Sequence, residues 1–182
     1  MKKTFLILAI MLSILGASVA SSLVARAVDS SNEVTDQKAM AIASHCDQLK
    51  NQLDVIQTTE TAARINRGRA YDTRVSAQMG AFNSRVAANK VDAPQLISNS
   101  AEFQTSLKQF QDSFSVYTDG LDSAKNTDCE SNPRGFYGWI SKARVDRAAL
   151  NGTVTNLDQV LDRYIEELND LKERYQTKAP GQ

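Results

Sequence analysis

The sequence predicts an all-α fold, an elongated up-down-up antiparallel three-helix bundle with coiled-coil-like packing. Three observations carry this expectation. Apolar residues recur at alternating steps of four and three along three long segments, the spacing that sets them on one face of a helix. Two short polar connections each end in a proline, Pro94 and Pro133, a residue that suits the first turn of a helix and not its interior. Alternating runs of β-branched residues, the mark of a strand, do not occur.

Residues 1–27 read as a signal peptide or an N-terminal membrane anchor. Lys2 and Lys3 form a basic head, and no charge follows until Arg26, the arrangement of an export signal. Small residues offer cleavage after Ala20 or Ala27. Alternatively the uncharged run over 4–25 stays as an anchor, since a helix of roughly 20 apolar residues spans a bilayer. Both readings place the rest of the chain outside the cytoplasm. Residues 28–35 form a polar linker.

The bundle then occupies 36–177, with helices over about 36–88, 94–125 and 133–176 and a polar tail at 178–182. Ile42, Cys46, Leu49, Leu53 and Ile56 open a seam in the first helix. The stripe fades through "RINRGRAYDTR" (64–74) and returns at Val75, Met79, Phe82 and Val86 in a shifted register. Asp92 is the expected cap of the second helix, whose seam runs Leu96, Ser100, Phe103, Leu107, Phe110, Phe114, Tyr117, Leu121, Ala124. Such an aromatic stripe is far more often helix-packing core than a ligand box. Asn132 or Ser131 caps the third helix, and its seam continues without a slip from Phe136 to Tyr175. One member is a charge, Arg147.

Composition excludes more than it assigns. The chain carries 21 basic and 21 acidic residues; losing Lys2, Lys3 and Arg26 with the leader leaves 18 basic residues and a net charge of −3. That balance argues against nucleic acid, and leaves the membrane engaged only through the N-terminal segment. Cys46 and Cys129 are the only cysteines, and in an oxidising compartment a disulfide is expected. A hairpin turn centred near residue 91 sets Cys46 level with about residue 137, and the second turn, which holds Cys129, lies at that same end. Closing that loop would stabilise the fold by roughly 4 kcal/mol.

His45 is the only histidine; as the neighbour of Cys46 it cannot pair with it on one helical face. No metal site, cofactor or catalytic residue is therefore expected, and the asparagine of "NGT" at 151–153 reads as a chance glycosylation match inside a helix.

The arginine-rich stretch is the strongest lead. Levels counted from both turns set Arg147 beside about residue 70 of the first helix. Arg64, Arg67, Arg69, Tyr71, Arg74 and Arg147 then share one layer, and extending the lower stripe of the first helix puts Glu60, Arg67 and Arg74 at seam positions. Asp72, Asp112, Asp119 and Asp146 lie at levels from which they can neutralise Arg147. Three readings stand: a salt-bridged layer that holds helix register, an anion pocket walled by Tyr71 and Tyr117, or a solvated face. At the far end, Leu168, Leu171 and Tyr175 overhang the second helix and invite self-association.

The expected function is accordingly a non-enzymatic exported or membrane-tethered module that is structural or binds another envelope or extracellular protein. The second expectation is a sensor or carrier that binds a small anion at the arginine layer.

Overall fold

The computed structural model describes residues 34–177. The leader, most of the linker and the tail lie outside the described residues, so the two readings of 1–27 do as well. Among the described residues every element is helical. In chain order these are α1 (Asp36–Ser44), α2 (Cys46–Ala70), a π-helical turn (Tyr71–Ser76), α3 (Ala77–Ala88), α4 (Pro94–Asn126) and α5 (Pro133–Thr177). No helix among them is long and apolar enough to cross a membrane.

The span 36–88, expected as one helix, is interrupted twice. His45 leaves helical geometry at φ −117° and ψ 21°, and the break re-aims the chain: α1 approaches α5, whereas α2 does not. The second interruption is the π turn in the arginine-rich stretch.

Local chemistry explains the ends. The Thr35 side chain accepts from the Lys38 amide at 3.3 Å, and Asn132 accepts from the Gly135 amide at 3.0 Å, as helix caps do. Asp92 is not the cap of α4; Ala93 holds that position and Pro94 fills the first turn. After α3 the chain turns through Lys90 at φ 53°. The Val91 amide donates to the Val86 carbonyl and the Lys90 amide to that of Ala87, both at 3.0 Å. This is the paired C-terminal bonding that usually takes glycine in the left-handed position.

The interior forms one continuous core. Leu96, Phe103, Leu107, Phe110, Tyr117, Leu121 and Ala124 of α4 are all buried. Opposite them, α5 buries Phe136, Ala143, Leu150, Val154, Leu157, Val160 and Tyr164. The two helices run in opposite directions, as the pairs Ser106/Asn156 and Glu102/Arg163 show. Small residues let them approach: a Cβ on Gly120 would lie 3.6 Å from that of Ala143.

α2 also packs on α4, yet its Cα atoms stay more than 8 Å from those of α5. Side chains cross that gap, among them Arg64 to Asn151.

Cys46 and Cys129 are disulfide-bonded, with Cα atoms 5.4 Å apart and a separation of 83 positions in sequence. Both are buried. The bond ties the start of α2 to the α4–α5 turn. Replacing both cysteines by serine is expected to lower unfolding free energy by about 4 kcal/mol, the loop-closure value for a ring of this size, as read from denaturant melts.

Candidate functional site

The arginine-rich stretch keeps its inward line, but at another period. From Leu53 the residues turned toward the interior are Gln57, Glu60, Arg64, Gly68, Tyr71, Val75, Met79, Phe82 and Val86, each buried or half-buried. Their steps repeat 4-3-4, eleven residues for three turns, close to a straight α-helix and unlike the 3.5-residue period of a supercoiled seam. A π turn at Tyr71–Ser76, in which the Ser76 hydroxyl donates to the Tyr71 carbonyl at 3.0 Å, lies within this line.

Arg67 and Arg74 are therefore not seam residues. They and Arg69 are exposed and make no ion pair among the described residues.

Three polar bridges cross from α2 and the π turn to α5. Glu60 Oε1 pairs with Arg147 Nη2 at 2.5 Å, Arg64 Nη2 donates to Asn151 Oδ1 at 2.5 Å, and the Tyr71 hydroxyl donates to Asp158 Oδ1 at 2.7 Å. The positions 60, 64, 71 and 147, 151, 158 advance by the same steps, so the bridges are rungs between helices that run parallel. Tyr117 of α4 joins the first rung by donating to Glu60 Oε2 at 2.9 Å. Both oxygens of that carboxylate are engaged.

Packing fixes the rungs from below. The ring of Phe110 lies against Gly68, where an added Cβ would come within 3.0 Å of its edge. Phe110 also meets Tyr71 edge-on at 6.2 Å, Phe103 meets it at 5.9 Å, and Phe114 stacks on Phe110.

Arg147 thus meets Glu60 and not the level of residue 70. An error of one residue in a turn centre shifts antiparallel levels by two, and the errors of the two turns add. Nor do the aspartates foreseen for Arg147 serve it: Asp112 pairs with Lys108 and Asp146 with Lys142. Asn151 and Asp158 were overlooked, although they follow Arg147 by 4 and 11 residues on the same face of α5.

The arginine set named from sequence therefore divides. Arg64, Tyr71 and Arg147 are brought together between α2 and α5; Arg67, Arg69 and Arg74 are not tied into the rungs. The overhang also differs from expectation. Leu171 is buried in the core that includes Val86, Ala93 and Leu96, while Tyr175 is exposed. No cluster of three histidine, cysteine or acidic side chains suited to a metal ion occurs among the described residues.

Electrostatics follow from burial. Tyr71 is pushed up to about 12, first by loss of solvent, then by its bond to the Asp158 carboxylate and that group's charge, against Arg67 and Arg64. Tyr117 is likewise pushed up to about 12 by burial, then by Glu60, against Arg147 and Arg64. Each phenol is an acid that ionises more readily in the unfolded chain, so above pH 10 the unfolded state binds fewer protons and stability falls as pH rises. This contribution is complete below pH 10 and lost between about 10 and 12. In a 295 nm absorbance titration, Tyr71→Phe and Tyr117→Phe should each remove one late-ionising phenol and flatten the alkaline fall in melting temperature.

The glycines supply an opposed pair. Gly80 has open space where its Cβ would be, so Gly80→Ala should gain roughly 0.5–1 kcal/mol of helix propensity. Gly68→Ala should lose stability by chemical melt despite the same propensity gain, because Phe110 is 2% exposed and held on several sides.

Comparison of the chain with family models, with curated proteins and with solved structures finds no match.

Proposed function

We propose that the chain is a non-enzymatic exported or membrane-tethered protein, an elongated up-down-up three-helix bundle with coiled-coil-like packing that acts as an envelope or surface structural or protein-interaction module. One observation carries the reading: Glu60/Arg147, Arg64/Asn151 and Tyr71/Asp158 join two helices in register, the arrangement by which polar residues hold a helical rod to one alignment. At 1.5 Å per residue α5, with 45 residues, is about 68 Å long. A basic head and apolar run in the leader, together with a disulfide, suit an oxidising compartment outside the cytoplasm.

A second reading, a sensor or carrier of a small anion, draws on Arg67, Arg69 and Arg74, which remain exposed and unpaired among the described residues. Its support is weaker because Arg64 and Arg147 already hold acceptors of this chain.

Chemical crosslinking in envelope extract should recover one discrete partner across a range of salt. A rise in melting temperature with phosphate or citrate in wild type, absent in Arg67→Ala, would replace the module by the anion carrier, since only a ligand that prefers the folded state stabilises it.

A further inference from the structure

We propose that the cleft between α1–α2 and α5, at the disulfide end, is the docking site for a short amphipathic helix of a partner protein. That helix carries two carboxylates about two turns apart with apolar residues between them on the same face. The inference deepens the interaction-module reading and rests on it.

The cleft is apolar and preformed. Ile42, Leu49 and Ile56 line one wall at intervals of seven, and Phe136 and Ile140 line the other, around a cavity of about 300 Å³. Along this one stripe Cys46 and Leu53 are buried, Ile42 and Leu49 are partly buried against the core, and Ile56 is 46% exposed, so the apolar arc is incompletely covered. A helix whose apolar arc is wider than its packing partner buries the remainder against another element.

Spacing and charge define the occupant. The α2 and α5 backbones stand more than 8 Å apart while α1 closes on α5 at one end, so the incoming helix lies over the mouth of the cleft, at the usual helix–helix spacing of about 8–10 Å. Apolar anchors at i, i+3, i+4 and i+7 are how such a groove is read. Lys38 marks one end, with its ammonium 3.8 Å above the Tyr137 ring. Arg144 lines the cleft seven residues beyond Tyr137, about 10 Å along the axis.

None of the residues lining the cleft is acidic, and neither cation has an ion pair among the described residues. Carboxylates on the incoming helix complete both. Beside the cleft, around α2, Val55 is 66% exposed and widens the apolar margin.

The test uses the full-length disulfide-bonded chain and two fluorescein-labelled helical peptides of about 14 residues, four turns. One carries Leu at i+3 and i+4 between Glu at i and i+7; the other has Lys in place of both Glu. The Glu peptide should bind about tenfold more tightly than the Lys peptide, and the Lys38→Glu, Arg144→Glu double variant should reverse that preference. In isoleucine-methyl spectra Ile42, Ile56 and Ile140 should shift while Ile97 and Ile165 hold.

Equal binding of both peptides, or shifts elsewhere, overturns the proposal. Movement of the same methyls by oleate but by neither peptide also overturns it, in favour of an acyl chain. Ile56→Asp, at an exposed position, separates this site from the broader reading. Loss of both peptide binding and the envelope crosslink supports the cleft. Loss of peptide binding with an intact crosslink overturns the cleft as the partner's site and leaves the module standing. Absence of any crosslink in wild type overturns the module itself.

Discussion

Close approach of α4 to α5 is the constraint from which the other contacts follow. Ser106, Gly120, Ala124 and Ala143 are buried and small, so these two backbones come together with little between them. α2 must then rest on the bulkier part of α4, where Phe110 and Tyr117 stand. A helix supported on aromatic rings is held away from its third neighbour, and short apolar side chains cannot bridge the distance that results. Gly68, the one glycine of α2, yields room to a ring there.

Length and polarity solve the bridging problem together. Glu60, Arg64 and Tyr71 are long enough to reach α5, and each finds a polar partner there. A half-buried carboxylate without a partner would be costly, but Glu60 is held by Arg147 and Tyr117 on separate oxygens. The guanidinium of Arg147 keeps 54% of its side chain exposed, so the ion pair adds little energy of its own. Its larger effect is alignment: a slip of one residue between the helices would break all three rungs at once.

The disulfide acts on the same alignment from one end. It anchors α2 beside the α4–α5 turn, just where the break at His45 lets α1 lean toward α5. The cleft arises between that anchor and the first rung. Rigid walls favour binding, because little order is lost when a ligand arrives, and the proposed docking helix would complete the packing that α2 and α5 leave open.

Much of the fold was legible in the sequence. Two cysteines have one pairing to choose, and the aromatic steps of α4 admit one buried face. Prolines 94 and 133 mark helix starts because their rings exclude interior positions. The site was legible in composition and not in geometry. Arg64, Tyr71 and Arg147 were within reach of sequence reasoning; their partners Glu60, Asn151 and Asp158 were not assigned to them, because relative levels depend on turn centres that a sequence locates only to a few residues.

Choice of period was the other undecided matter. A sequence rich in 4-3 steps suggests 3.5 residues per turn throughout and puts Arg67 and Arg74 inside. The packed chain follows 3.67 in this stretch and puts Arg64, Gly68 and Tyr71 there instead. The sequence alone determined that the described chain is helical, that two of its helices begin at Pro94 and Pro133, and which cysteines pair. Tertiary packing decided which arginines face the interior, that Leu171 is covered, and that a cleft stays open beside Ile56. These depend on the distance between helices, and side-chain volumes set that distance only after the helices meet.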